Sequence, residues 1–217
     1  MKSAWNGVLF DLDGTLADTA PDLAYALNRL RHDRGLDDLP ESALRIHASS
    51  GARGLLAAGF GISPESPDYE SMREEFLNQY ERHLSRSSRL FPSVGELLEA
   101  IETRRIPWGV VTNKAARFTV PLVKFLGLWE RAGCVISGDS TAHAKPHPAP
   151  LFAAAEKIGV PPGECLYVGD DLRDVQASRA AGMAVAVARY GYLGGSPPDS
   201  WHADFLIDSP TELIARL

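Results

Sequence analysis

Short runs of hydrophobic residues along the chain end abruptly at polar or acidic residues. The run Gly7–Phe10 is followed at once by Asp11 and then by Gly14, which is typical of a buried strand that ends in a loop. Similar runs occupy residues 108–112, 134–137, 166–168, 183–187 and 204–207. Segments with helical spacing lie at 94–103, 116–126, 148–158, 175–181 and 210–217. Strands that alternate with helices predict an α/β fold with a doubly wound parallel (Rossmann-like) sheet.

Residues 17–84 break this alternation, because they carry helical patterns and no strand signal. Helices are predicted at 21–34, 41–60 and 69–84, and a turn rich in Pro, Ser and Gly separates the last two. An all-helical block after the first strand indicates an inserted cap domain. We therefore expect a core domain of residues 1–16 plus 85–217 and a cap domain of residues 17–84. The hinges between them are expected near 16–20 and 85–92.

The composition of the chain limits the kinds of molecule that it is expected to bind. The chain has 217 residues, of which 45% are hydrophobic and 23% charged, and its net charge is -6. An acidic protein is a poor match for nucleic acid or for an anionic membrane surface, so we expect neither as a partner. The two cysteines lie in apolar runs, which predicts buried thiols. No leader or membrane-spanning run is evident, which predicts a cytoplasmic protein. We expect it to act on a small molecule and to be a monomer or homodimer.

Four of the predicted strands are followed by residues that carry chemistry. In open α/β sheets, binding sites form at the carboxyl ends of the strands. The residues found there are Asp11, Asp13 and Gly14 after the first strand, Thr112 and Asn113 after the second, Lys145 after the third, and Asp170, Asp171 and Asp174 after the fourth. Each cluster alone is compatible with a turn, a loop or a helix cap. Their joint placement at strand ends predicts one active site.

The acids at this edge of the sheet predict a metal site. Several carboxylates within a few ångströms repel one another unless some are protonated or a cation lies among them. Oxygen ligands without a His or Cys cluster suit Mg²⁺. We expect Asp11, Asp170 and the backbone carbonyl of Asp13 to be ligands. Asp174 is expected to orient these ligands without contacting the ion itself, and Asp171 is a weaker candidate for the same role.

The same residues predict phosphoryl transfer. Asp11 is expected to act as nucleophile and to form an aspartyl-phosphate. Asp13, two residues later, is placed to protonate the leaving oxygen and then to activate water. The phosphate oxygens are expected to be held by the backbone at Gly14 and by the side chains of Thr112, Asn113 and Lys145.

In order and spacing the four clusters resemble the motifs of the haloacid dehalogenase superfamily. Asp11-Leu12-Asp13-Gly14-Thr15 is similar to its first motif, Thr112 to its second, Lys145 to its third and Gly169-Asp170-x-x-x-Asp174 to its fourth. The resemblance spans nearly the whole chain, and the helical insert lies where one subclass carries its cap. Within the superfamily the sequence is most similar to phosphoglycolate phosphatases. It also resembles N-acetylmuramic acid 6-phosphate phosphatases.

The resemblance leaves several activities to compare. Dehalogenases of the superfamily lack the second acid of the first motif, so Asp13 argues against dehalogenation. Phosphonoacetaldehyde hydrolases need a lysine in the cap, and residues 17–84 contain none. Sugar phosphomutases keep the same four motifs and stay an alternative. Phospho-signalling receiver domains are a different class with similar acids, but they are about half as long and have no helical insert.

Substrate choice is expected to depend on the cap. Arg53 follows the small residues Ser49-Ser50-Gly51-Ala52, and a loop there could point into the cleft. Arg53, together with Gly51, is predicted to contact a carboxylate-bearing substrate, and the alternative is that Arg53 only begins a helix. Tyr190 and Tyr192 either border the cleft or cover the core.

Overall fold

A single parallel sheet forms the centre of the core. The computed structural model describes residues 5–195 and 197–217. The sheet strands are β1 (Gly7–Phe10), β4 (Trp108–Val111), β5 (Cys134–Ile136), β6 (Cys165–Gly169), β7 (Ala184–Ala188) and β8 (Phe205–Ile207), and a separate pair consists of β2 (Ala17–Asp18) and β3 (Arg89–Leu90). The sheet order is β5-β4-β1-β6-β7-β8, and all its pairings are parallel. The predicted doubly wound fold is confirmed.

Helices cover both faces of this sheet. They are α5 (Val94–Thr103), α6 (Ala116–Phe125), α7 (Ala149–Ile158), α8 (Leu172–Ala181) and α9 (Pro210–Ile214). Leu98, Leu122 and Leu213, from α5, α6 and α9, pack in one buried cluster with Val8 and Phe10. Residues of α7 and α8 pack in a second cluster with Leu9 on the opposite face. The apolar run of β1 is therefore buried on both sides, as its sequence predicts.

The start of α8 corrects one predicted boundary. The sequence pattern places this helix at 175–181, whereas it begins at Leu172. Asp171 caps it by accepting a hydrogen bond from the backbone of Arg173, and the side chain of Asp174 bonds back to the cap residue. This reciprocal capping extends the helix by a turn toward the strand end.

The segment between β2 and β3 contains α1 (Ala20–His32), α2 (Glu41–Arg45), α3 (Gly51–Phe60) and α4 (Tyr69–His83). These helices share a hydrophobic cluster that includes Leu27, Leu30 and Phe76, and Phe118 and Tyr192 of the core also belong to it. The prediction of one helix over 41–60 is wrong. The chain leaves the helical path in a 3₁₀ turn at Ala48–Ser50, and Gly51 has a φ of 56°, a conformation that favours glycine.

The predicted absence of strands in 17–84 is also wrong at its first two residues. Ala17 and Asp18 pair antiparallel with Leu90 and Arg89, so the two connections of the helical segment lie side by side. Arg45 of α2 makes a two-pronged ion pair with Asp18, with nitrogen–oxygen distances of 2.8 and 2.9 Å. Within the described residues, no helix combines the length and the hydropathy that a membrane crossing requires.

Candidate active site

A cavity of about 580 Å³ lies between the carboxyl ends of the strands and the helical segment. Because β1 lies between β4 and β6, the residues that follow these three strands meet at its floor. The predicted residues that line it are Asp11, Asp13, Gly51, Arg53, Thr112, Asn113, Lys145, Asp171 and Asp174. Asp170 lies deeper and is fully buried. The structure thus brings the four separate sequence clusters together.

Three carboxylates form the acidic centre of this floor. Asp11, Asp170 and Asp174 each offer an oxygen within 4.8 Å of the others. Burial raises the pKa of Asp11 to about 7, and the neighbouring acids add to the effect. Burial and the charge of Asp11 also hold the pKa of Asp170 well above its usual range. A cation among these groups would favour their ionised forms and so lower both pKa values.

Lys145 is the positive charge that the protein itself supplies at this centre. Its ammonium nitrogen lies 3.0 Å from Asp11 Oδ1 and 2.7 Å from Asp174 Oδ1. It also donates to the carbonyl of Val111 and to the hydroxyl of Tyr167. Although burial opposes it, the two carboxylates raise the pKa of Lys145, so the side chain stays charged. Lys145 therefore fixes the orientation of Asp11.

Asp174 acts on the strand-end loop. One of its oxygens faces Lys145, and the other accepts the backbone N–H groups of Asp170 and Asp171 at 3.1 and 3.0 Å. Asp171 itself turns away and pairs with Arg173 at 2.8 Å. Asp174 thereby holds the backbone that carries Asp170, and Asp171 serves as a helix cap.

Asp170 is fixed on both oxygens. Oδ1 accepts from the Thr15 hydroxyl at 3.0 Å and Oδ2 accepts from the backbone N–H of Tyr192 at 2.8 Å. Gly14 lies directly against this carboxylate: a Cβ there would come within 2.1 Å of Asp170 Oδ2, and its φ is +83°. A residue with a side chain at position 14 would displace Asp170.

Gly14→Ala is expected to reduce activity by at least about 10²-fold, because it moves a group at the reacting centre. It also imposes positive φ on alanine, which costs about 1 kcal/mol. Steady-state kinetics at saturating Mg²⁺ measures the first effect, and urea unfolding measures the second. Gly35→Ala is a matched control, since Gly35 has a φ of +69° and open space around it. Equal activity of both variants would contradict the assigned role of Gly14.

Asp13 is held by two contacts on the same oxygen. Thr19 donates its hydroxyl to Oδ1 at 2.5 Å, and the ammonium of Lys114 lies 3.0 Å from it. Lys114 is buried against the ring of Tyr80, 4.8 Å from its centroid. Sequence analysis missed Lys114 as a site residue, although it directly follows Asn113.

Asn113 makes contacts that its sequence pattern did not predict. Its amide oxygen accepts the backbone N–H of Lys145 at 2.9 Å, and its amide nitrogen donates to the Lys145 carbonyl at 2.8 Å. The side chain therefore clamps the peptide of Lys145, and its contact with a phosphate stays a prediction. The buried Thr112 hydroxyl accepts the backbone N–H of Lys114 at 3.2 Å and keeps its own proton for donation.

The helical segment reaches the cavity mainly through α3 and α4. Arg53 and Gly51 line it from the first turn of α3, so Arg53 lies at the start of a helix, as in the stated alternative, and also on the cavity wall. Arg173, from the core, donates to the carbonyl of Ser49 at 2.6 Å. Tyr192 also joins core and helical segment, because its hydroxyl accepts the backbone N–H groups of Thr19 and Ala20. No local sequence signal marks Arg173 or Tyr192 for these contacts.

The chain belongs to the haloacid dehalogenase-like hydrolase family, because the model of that family matches residues 8–188. One relative, the N-acetylmuramic acid 6-phosphate phosphatase of Pseudomonas aeruginosa, is 44% identical over 208 residues, which cover 95% of this chain and 92% of the relative. A phosphoglycolate phosphatase of Xanthomonas campestris is 42% identical over 207 residues, which cover 95% and 93%. The crystal structure of a predicted phosphoglycolate phosphatase from Haemophilus somnus is 29% identical, with a TM-score of 0.87 and 99% coverage of each chain.

These comparisons confirm the family resemblance and the enzyme class predicted from the sequence. The chain is a hydrolase of this family, and its curated relatives are named as phosphatases. The alternative of a non-enzymatic receiver domain is therefore wrong.

Proposed function

We propose that the protein is a Mg²⁺-dependent phosphomonoester hydrolase that uses Asp11 as its nucleophile. The observation that carries the proposal is the floor of the cavity, where oxygens of Asp11, Asp170 and Asp174 lie within 4.8 Å of one another and the ammonium of Lys145 lies 3.0 Å from Asp11. Such a site can accept a phosphate anion next to an acid only if positive charge offsets the repulsion. The phosphatase names of the relatives support the same reaction.

The donor set fits Mg²⁺. It consists of oxygen atoms only, and burial raises the pKa of two of its carboxyls, which a divalent cation would reverse. Asp11, Asp170 and the backbone carbonyl of Asp13 would hold the ion, and Asp174 would orient the loop from behind. When bound, the ion supplies positive charge to the acids and to the substrate phosphate.

The residues of the chain account for each step. Asp11 attacks phosphorus through a carboxylate oxygen while the bond to the leaving alcohol breaks, and Asp13 gives its proton to that alcohol. Asp13 then takes a proton from water, whose oxygen attacks phosphorus and releases Asp11 and inorganic phosphate. Lys145, the Thr112 hydroxyl and backbone N–H groups near Gly14 hold the phosphate oxygens as charge shifts. Asn113 contributes by fixing Lys145.

We assign residues 17–84 as a cap that covers this site. The hydrophobic cluster formed mainly by its helices, distinct from the two clusters on the sheet, and the antiparallel pair of β2 and β3 at its base support this division. A covering helical unit would exclude water and select the leaving group, since the core contacts mainly the phosphate.

For the substrate, we propose a carboxylate-bearing phosphomonoester, with 2-phosphoglycolate as the first candidate. Arg53 on the cavity wall would pair with the carboxylate. The volume of about 580 Å³ favours a second candidate, N-acetylmuramic acid 6-phosphate, because cavities of this size enclose molecules much larger than phosphoglycolate. The 44% identical relative carries the name of this activity.

Turnover of phosphate esters with and without metal tests the proposal. We expect release of inorganic phosphate from p-nitrophenyl phosphate in Mg²⁺ and none in EDTA. A panel of 2-phosphoglycolate, N-acetylmuramic acid 6-phosphate and hexose phosphates ranks the substrates by kcat/KM. Conversion of a hexose phosphate to its isomer without phosphate release would support the phosphomutase alternative. No metal-dependent turnover of any ester would refute the proposal.

Affinity for Mg²⁺ is expected to fall as the pH drops below about 7. The Asp11 carboxyl has a pKa raised to about 7, so below that pH it holds a proton that the metal must displace. The apparent Kd for Mg²⁺ should rise by up to about tenfold per pH unit below 7. Calorimetric titration measures this without any substrate. Asp11→Asn should weaken the pH dependence and leave the part that comes from Asp170, whose pKa is also raised. A Kd that is constant from about pH 6 to about pH 8 in the wild type would contradict Asp11 as a ligand.

A further inference from the structure

Two hydroxyl groups on the wall of the active-site cavity have no hydrogen-bond partner. Within residues 5–195 and 197–217, the buried side-chain oxygens of Tyr80 and Ser49 are without one. Both residues line the cavity, Tyr80 from α4 and Ser49 from the 3₁₀ turn before α3. Buried polar atoms are nearly always paired in folded proteins, so an unpaired atom in a binding cavity indicates a missing ligand.

We infer that the hydroxyls of Tyr80 and Ser49 bind the alcohol part of the substrate, and that this part carries oxygen acceptors of the hydroxyl, carboxylate or amide kind. The inference rests on the proposed function, since it names groups that recognise the leaving group of that reaction. It assigns specificity to two residues that the sequence patterns did not single out.

Tyr80 is held in one place by its ring. The residue is 1% exposed, and its ring stacks on Phe76 at 6.5 Å between centroids and packs against Phe118 at 5.3 Å. Burial raises the pKa of its hydroxyl to about 12, so the group keeps its proton and acts as a donor. A rigid donor in apolar surroundings selects strongly for an acceptor, because an analogue without one leaves the donor unpaired.

The position of Tyr80 relates it to the reacting end of the substrate. The ammonium of Lys114 lies over its ring and is itself paired with Asp13 at 3.0 Å. The ammonium also acts on the Tyr80 hydroxyl, but it can only donate, so the hydroxyl keeps its own proton for an acceptor. Because Asp13 is assigned to protonate the leaving oxygen, its contact with Lys114 relates Tyr80 to the same end of the substrate.

Ser49 provides a second contact from another element. Its carbonyl accepts a hydrogen bond from Arg173 at 2.6 Å, which ties the turn to the core end of α8. Its hydroxyl is left without a partner on the same cavity that Arg53 lines. The two hydroxyls thus mark two points on a wall that apolar side chains such as Leu23 and Phe76 also line.

Tyr80→Phe tests the inference, because it removes only the hydroxyl. We expect kcat/KM to fall about five- to tenfold for the preferred oxygen-bearing ester and to stay within about twofold for phenyl phosphate, whose leaving group has no acceptor beyond the ester oxygen. The preferred ester is chosen from 2-phosphoglycolate, N-acetylmuramic acid 6-phosphate and glucose 6-phosphate, which separates carboxylate from hydroxyl acceptors. Ser49→Ala should give the same selective loss.

The Tm of the variants distinguishes a binding role of the two hydroxyls from a structural one. Removing an unpaired buried hydroxyl should leave the Tm of the ligand-free protein unchanged or raise it. Tyr25→Phe, on α1 and away from the lining of the cavity, is the matched control and should change neither Tm nor selectivity. Equal losses on all esters, no loss on any, or a lowered Tm with unchanged selectivity would overturn the inference. If the wild-type protein hydrolysed no ester at all, the proposed function would fail instead.

Discussion

Replacing Asp11 by asparagine is expected to lower turnover of every phosphomonoester by at least about 10³-fold. The amide is a poor nucleophile and cannot form the acyl phosphate through a carboxylate oxygen. The fold should survive, because asparagine is similar in size to aspartate. The substitution also removes a buried carboxyl whose pKa is raised to about 7 by its burial. Lys145 would still be paired with Asp174 at 2.7 Å. The expected Tm is therefore equal to that of the wild type or higher.

The measurement combines kinetics on phenyl phosphate with a thermal unfolding curve. Asp38→Asn is a suitable control, since Asp38 is an exposed acid in the loop after α1. Mass spectrometry after acid quenching should find phosphate on the wild-type peptide that contains Asp11 and none on the variant. An Asp11→Asn enzyme with near wild-type turnover would exclude Asp11 as the nucleophile.

Replacing Lys145 by methionine is expected to abolish activity and to destabilise the protein by about 3–5 kcal/mol. The side chain is 3% exposed and neutralises the carboxylates of Asp11 and Asp174. Without it, Asp11 and Asp174 lose the ammonium that contacts both of them, and one partner of a buried ion pair is missing. The loss in unfolding free energy should be larger at about pH 8 than at about pH 5, because ionised carboxyls need the counter-charge.

Urea unfolding measures this change, with Lys157→Met at an exposed position of α7 as the control. Added Mg²⁺ should restore part of the lost stability, since the ion supplies positive charge to the same acids. A Lys145→Met protein as stable as the wild type in EDTA would contradict the electrostatic role assigned to Lys145.

The placement of chemistry along the chain was predictable because a parallel sheet collects strand ends at one edge. Asp11, Thr112 and Asp170 each follow an apolar run, and β4, β1 and β6 are neighbours in the sheet. Helix positions in the core were predicted to within a few residues for a different reason. Local apolar periodicity determines these helices, and the sequence alone contains that information.

The contacts that complete the site depend on residues far apart in sequence. Tyr80 and Lys114 meet across the boundary between helical segment and core, and Arg173 reaches Ser49 across 124 positions. No short-range pattern encodes such pairs. Asn113 is a second example. From the sequence its amide could bind a phosphate or a peptide group, and only the structure shows its hydrogen bonds to the Lys145 peptide.

Tyr192 connects the proposed metal site to the helical segment. Its backbone N–H fixes Asp170, and its hydroxyl receives the backbone N–H groups at the start of α1 while it contacts Asp18 at 3.1 Å. A hinge motion that separates α1 from Tyr192 must therefore disturb a carboxylate proposed to hold the ion. By thermodynamic reciprocity, an ion that stabilises Asp170 in this position also resists opening of the hinge. Cation binding and product release would then oppose each other, and Tyr192 would link the two through its contacts with Asp170 and α1.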